Sequence, residues 1–443
     1  MLGFSIKAAR SCSKAAALTA ALVLATASCG EKAALPPAAE SASPAVTDVR
    51  VSGAGVDAAE PAVAAGENGT IFVAYVEHNP DKSADLYVTP FAAGHERAGE
   101  RVRVNPTAGE VKAWYGDPPT IAVSGSNLFV GWTRRVQSDG GAETDVVLSV
   151  SRDGGQTFAE PVKVNDDNAP ASHGMHSLAV AGDAVYMSWL DERNVKPEKV
   201  KLGESAPSPV DGFVFVKAHH NPKQKAVADD GAEPNSEVFF AASTDGGRKF
   251  SKNVRVASDV CPCCKTATLA ADGKLFLGWR QVLPGNFRHI AVASSGNGGQ
   301  TFSPSAIVSD DRWMLSACPV SGPALAAESG GLKVFWYTAG SAGEAGLFEA
   351  ISSDGGRSFA PRKLVSSEAR SGTPALVRNA NGTSLVFAEK GEKVSIVPAS
   401  AGSDTSQKEL ADAELFAATA GDQGVVIAFV KTEGNSRTVW LTR

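Results

Sequence analysis

No block of basic residues occurs anywhere in this chain, and its 42 lysines and arginines are outnumbered by 48 aspartates and glutamates. That balance argues against nucleic acid as a partner. No long stretch carries the 3.6-residue apolar rhythm of an amphipathic helix, which excludes a helical bundle. Long apolar runs are also missing. The greasiest segment, Ala15 to Ala27, is too short to cross a bilayer comfortably. Cysteine is scarce, with six in 443 residues. Glycine, at 44 residues, is frequent, and short strand-like runs punctuated by turns fill most of the sequence. An all-β fold, long enough for one large domain, fits this composition.

Lys7, Arg10 and Lys14 precede the Ala15–Ala27 run, the charged-then-apolar layout of an export signal. Leu24 to Gly30 resembles a bacterial lipoprotein cleavage site, which implies lipidation of Cys29; Thr26 departs from the usual aliphatic residue there, so cleavage without lipid is the alternative. The expected boundaries are a signal at 1–28, an Ala/Pro/Ser-rich tether at 29–45 and a folded domain at 46–443. The expected location is the bacterial cell envelope, periplasmic, with the membrane touched only through the lipid. A monomer is expected.

Two repeats organise the domain. Ser151-Arg152-Asp153-Gly154-Gly155-Gln156-Thr157-Phe158 recurs at Ser243–Phe250, at Ser295–Phe302 with Asn297 in the aspartate place, and at Ser352–Phe359. Two glycines permit positive φ, the carboxylate or amide caps its own turn, and the aromatic anchors the departing strand. Runs ending in an aromatic recur at Ile71–Tyr75, Leu128–Trp132, Val185–Trp189, Leu275–Trp279 and Leu332–Trp336, with weaker relatives at Ser384–Ala388 and Val425–Phe429. These seven modules have the spacing of four-stranded propeller blades. The seventh is one strand short, and Val46–Val51 has the character of the missing strand. Seven blades closed by an N-terminal strand is therefore the expectation, with six as the alternative if the last two modules merge.

The S-x-D-G-G-x-T-F pattern resembles the Asp box, or BNR repeat, of the sialidase superfamily. That resemblance implies a β-propeller and raises the prospect of exo-α-sialidase activity on a glycan. Sialidases hold the sugar carboxylate with three arginines and use a tyrosine paired with a glutamate as nucleophile and an aspartate as acid/base. By position Arg193, Arg280 and Arg288 could form the clamp, and Tyr337, Glu389 and Asp191 the catalytic set. The sequence has no F-R-I-P or Y-R-I-P segment, so no residue sits in a matching motif.

Propeller connectivity sends blade-joining segments and second-to-third-strand loops to one face and the Asp boxes to the other. On the first face fall Trp114, His173, His176, Cys261, Cys263, Cys264, Trp313 and Cys318, together with the arginines above. Ligands favour such a mouth. Trp114 and Trp313 break the repeated tryptophan position and are candidates for stacking on a ligand, with packing as the alternative. In an exported protein the four domain cysteines read first as disulfides. The second reading is a copper or zinc site built from Cys261, Cys263, Cys264, Cys318, His173 and His176, with Met175 as a further soft group. The third is reactive thiol chemistry at the C-x-x-C of Cys261 and Cys264. The functional expectation is a sialidase-like propeller binding a ligand or soft metal at this rim; exo-sialidase activity and a non-catalytic interaction scaffold are the alternatives.

Overall fold

A computed structural model describes residues 48–443 except 137–142, 196–234, 316–318, 329–330, 380–381, 400–407, 423, 435 and 443. The export signal, Cys29, Cys318 and most of the long insertion in blade three lie outside the described residues. The described strands group into seven four-stranded antiparallel units. Their inner strands, Asp57–Ala65, Thr120–Ser124, His173–Ala181, Ala267–Ala271, Ala324–Glu328, Ala375–Asn379 and Phe416–Gly421, touch one another in sequence order, and the last returns to the first. The result is a closed β-propeller. Small residues dominate where these strands converge, as in Ala267-Thr268-Leu269-Ala270-Ala271.

The expected closure is present. Val49–Arg50 pairs antiparallel with Ser436–Thr442, completing the seventh unit with a strand from the other end of the domain. Val51 is fully buried, and its N–H donates to the Val439 carbonyl at 2.8 Å. Lys431 reaches Asp48 at 2.6 Å across the same seam. All seven second strands appear where the aromatic-ended runs place them. Trp132, Trp189, Trp279 and Trp336 are essentially unexposed and sit in the cores between blades. They are packing residues rather than sugar platforms.

Each Asp box folds as its residue types demand. Ser151 Oγ donates to Asp153 Oδ1 at 2.7 Å and accepts the Gly155 N–H at 2.8 Å. Asp153 also accepts the N–H groups of Gln156 and Thr157 and the Thr157 hydroxyl, which together hold its carboxyl down to about 2. Gly154 and Gly155 lie at φ 74° and 88°, a region costly for any residue with a Cβ. The box turns contact first-to-second-strand hairpins, as when Gly154 N–H bonds Ser126 O and Gly246 N–H bonds Asp183 O. They thus occupy the end of the ring opposite the blade junctions.

A second staple was not foreseen from the sequence. Asn105, just after an outer strand, accepts the Leu86 N–H at 2.7 Å and donates to Asp85 at 2.7 Å. Asn165 repeats this with Val146 and Asp145 at 3.1 and 3.0 Å. The Val104-Asn105 and Val164-Asn165 pairs, each about twenty residues after an aspartate, were the available signal.

Two tests follow from this architecture. Removing residues 1–52 should strip the edge of Ser436–Thr442, lower the melting temperature and produce oligomers on size-exclusion chromatography, because an unpaired edge recruits another chain. An unchanged monomer with unchanged melting would contradict the closure. Ser151→Ala removes the buried oxygen that joins Asp153 to Gly155 and should cost about 1–2 kcal/mol in denaturant unfolding.

Candidate sulfur site

The strand Lys274–Leu283 organises the chemically unusual face. Along one edge it pairs with the inner strand, from Ala271↔Lys274 to Ala267↔Gly278, and then with Val260, the last residue of the preceding blade's outer strand, at Gln281. Cys261 N–H continues that ladder by donating to Arg280 O at 2.9 Å. Cys261 to Thr266 is therefore a short excursion whose two ends are fixed to the same strand. A turn so short, pinned at both ends, points its side chains inward. Cys261 and Cys264 are fully buried and Cys263 is 4% exposed, in one apolar cluster with Met175, Leu190, Val260, Trp279 and Val282. Trp114 packs against the same cluster.

The three sulfurs lie within 4.8 Å of one another. Cys261 Sγ is 3.5 Å from Cys264 Sγ and 3.7 Å from Cys263 Sγ. Cys261 and Cys264 are free thiols, whereas Cys263 is disulfide-bonded. Ser321, three residues beyond Cys318, donates its N–H to Cys264 Sγ at 3.4 Å, so the next blade junction does reach this turn.

The charges of two buried arginines, Arg280 and Arg288, act on these sulfurs. Arg280 is fully buried, and its guanidinium donates only to carbonyls: Ser321 O at 3.0 Å, Tyr337 O at 2.9 Å and Arg288 O at 3.5 Å, with Trp313 4.8 Å from it. Arg288, 2% exposed, bonds the Asn286 side-chain oxygen at 3.1 Å. Among the described residues no carboxylate forms a salt bridge with either. A buried guanidinium without an anion is costly. A hydrogen bond from Cys264, then the charges of Arg288 and Arg280, hold the Cys261 thiol down to about 6. Cys264 moves the other way, raised by burial and by its ionised neighbour.

The histidines assigned by sequence to the metal site are elsewhere. His173 Nδ1 lies 2.5 Å from Thr144 O, and its Nε2 faces Asp167 and Asp191 at 3.2 and 3.5 Å. His176 Nδ1 is 3.3 Å from Asp117, which also receives the Thr133 hydroxyl at 2.6 Å and Lys265 at 3.2 Å. Burial depresses His176 and keeps it neutral. Neither ring belongs to the sulfur group. The reason is geometric: in the strand His173–Ala181 both rings face acids of neighbouring segments, while Met175 between them, at φ 53° in a bulge, packs into the sulfur cluster. Lys265, beside Cys264 in sequence, was not singled out; a lysine directly after the cysteine run was its signal.

The proposed sialidase set is likewise committed to internal contacts. Arg193 forks onto Asp191 at 2.8–3.1 Å and binds Asp166 at 2.8 Å. Asp191 is fully buried and also receives the Trp189 indole N–H at 2.8 Å. Tyr337 is 6% exposed against Trp313, and burial raises its phenol. Glu389 ends a strand of the following blade, in register with Lys393. Among the described residues no hydrogen bond joins Tyr337 to Glu389. Trp313, 5% exposed beneath Arg280, is not a stacking platform. Trp114 is half-buried.

No protein-family model matches the sequence, and no curated protein matches it. Solved structures do. A protein of unknown function from Dyadobacter fermentans DSM 18053 aligns over 90% of this chain and 98% of its own, with 14% identity and a TM-score of 0.50. The Hadza microbial sialidase Hz136 aligns over 84% of this chain and 76% of its own, with 13% identity and a TM-score of 0.46. Trypanosoma rangeli sialidase in complex with sialic acid aligns over 79% of this chain and 56% of its own, with 12% identity and a TM-score of 0.45. At such identities the likeness concerns the fold alone.

Proposed function

We propose that this propeller binds a soft metal ion, copper(I), through Cys261 and Cys264, with Met175 packed alongside. The observation that carries the reading is the pair of free, buried thiols 3.5 Å apart, acted on by two arginines that have no carboxylate partner among the described residues. Soft thiolates select copper(I) among the common ions. Zinc in a structural site asks for four ligands, and the described residues offer only the three sulfurs, one of them already in a disulfide. Thiolates on a tetrahedral ion with bonds near 2.3 Å would sit roughly 3.8 Å apart, close to the 3.5 Å between Cys261 and Cys264. The site needs little rearrangement to close on an ion. With the export signal and Cys29 anchor expected from the sequence, the ion would be met in the cell envelope.

The exo-sialidase alternative has no support beyond the fold. Arg193 and Asp191 neutralise each other, and Arg280 is spent on carbonyls and an indole.

Anaerobic titration of metal-free protein against a chromogenic copper(I) chelator tests the reading. One equivalent should be withdrawn from the chelator, and Cys261→Ser or Cys264→Ser should weaken retention by at least about a hundredfold, while His173→Gln leaves it within about threefold. Retention unaffected by both cysteine substitutions would overturn the proposal. Arg280→Gln removes the charge that favours the Cys261 thiolate and should weaken binding at pH 7 by about tenfold for each unit by which that thiol rises. A fluorogenic sialoside should remain uncleaved by the same preparation.

A further inference from the structure

Two free thiols in contact are also a store of two electrons. Cys261 Sγ and Cys264 Sγ stand 3.5 Å apart, and both residues are fully buried. A disulfide holds its sulfurs about 2.05 Å apart, so a shift of roughly 1.5 Å, shared between two side chains, would join them. Cys263 Sγ is nearly as close to Cys261, at 3.7 Å, but is already disulfide-bonded. The open partner for Cys261 is therefore Cys264.

The backbone keeps this pair within reach. Cys261 N–H donates to Arg280 O at 2.9 Å, Thr266 N–H to Met175 O at 3.1 Å, and Ser321 N–H to Cys264 Sγ at 3.4 Å. With both ends of the turn pinned, the two sulfurs stay together whether or not an ion lies between them. Met175, Leu190, Trp279 and Val282 close around them. That wall keeps out bulky thiols and disulfides, because exchange depends on access. A hydroperoxide is small enough to use whatever route a metal ion takes.

We propose that Cys261 and Cys264 form a redox pair that a hydroperoxide closes into a disulfide, and that closure abolishes ion binding. In the first step the Cys261 sulfur attacks a peroxide oxygen. An S–O bond forms, the O–O bond breaks, and the leaving oxygen takes up the thiol proton and departs as alcohol or water. Cys261 is then a sulfenic acid. In the second step the Cys264 sulfur attacks Cys261 Sγ. The S–S bond forms, the S–O bond breaks, and hydroxide leaves as water with the Cys264 proton. The two thiols lose two electrons and the hydroperoxide gains them. The thiolate is the form that binds a metal, so the open pair offers two ligands to copper(I) and the closed pair none. The regulatory consequence rests on the copper(I) reading; the sulfur chemistry does not.

The test treats the full chain, metal-free, with excess hydrogen peroxide at neutral pH and removes the peroxide with catalase. One portion is alkylated under denaturing conditions and mapped by mass spectrometry; the other is titrated with copper(I) against the chromogenic chelator. Cys261 and Cys264 should escape alkylation together, with the loss of two hydrogens, and copper(I) retention should fall at least about a hundredfold, as expected when both soft ligands are lost. Cys264→Ser should halt at the sulfenic acid, which dimedone labels on Cys261, whereas Cys261→Ser should leave Cys264 open to alkylation. Near-UV circular dichroism shows whether each variant keeps the fold. Folded wild-type protein whose two thiols stay open, or become over-oxidised without linking, or whose closed form still holds copper(I), overturns the proposal. So does lost retention that follows oxygen on Met175 with both thiols intact. Copper(I) retention by untreated protein, with no closure under peroxide, keeps the metal reading and removes this one. Closure in protein that never retained copper(I) removes the metal reading and its regulation, and leaves the redox pair standing alone.

Discussion

Val260 and Ala267 are bonded to the same edge of one strand, Lys274–Leu283, and that constraint decides what the molecule can do. The chain leaves the outer strand of one blade, crosses to the next, and has only Cys261 to Thr266 in which to reverse. Side chains in so tight a reversal have little choice of direction, and three of them are cysteines. The same strand contributes Arg280, whose carbonyl fixes Cys261 and whose guanidinium reaches across to the following blade. Backbone pairing thus brings the sulfur and the cation together before any side-chain preference acts.

Electrostatics then selects the state of the sulfur. Arg280 makes good hydrogen bonds, but carbonyl dipoles and an indole face do not neutralise a full charge at 0% exposure. Elsewhere on the same face the protein shows what it does with buried cations it intends to silence: Arg193 is forked onto Asp191, and Lys265 is set against Asp117. Among the described residues no carboxylate forms a salt bridge with Arg280 or Arg288. Their charges help to hold the Cys261 thiol down, and a thiolate is a nucleophile and a soft ligand rather than an ordinary structural filler.

The ring was largely legible in the sequence. Four Asp boxes, five aromatic-ended strands and their two weaker relatives repeat because each blade poses the same packing problem, and Val46–Val51 declared itself as the missing strand by pattern. The convergence of blade junctions followed from antiparallel alternation alone. What could not be read was pairing among neighbours. His173 and His176 carry metal-binding chemistry, but acids from other segments claim them, and residue type says nothing of that competition. Arg193 was lost as a clamp for the same reason, its partners Asp166, Asp167 and Asp191 lying on three separate approaches to one point. The division of the cysteine turn into one oxidised and two free sulfurs also depends on distances that spacing does not contain.

The central claim is that Cys261 and Cys264 form a soft-ion site of sulfur donors. X-ray absorption at the copper edge of protein loaded with one equivalent of copper(I) addresses it most directly. The account predicts a first shell made of sulfur alone, lost in Cys261→Ser. A shell dominated by nitrogen or oxygen, or one that survives that substitution, would contradict it.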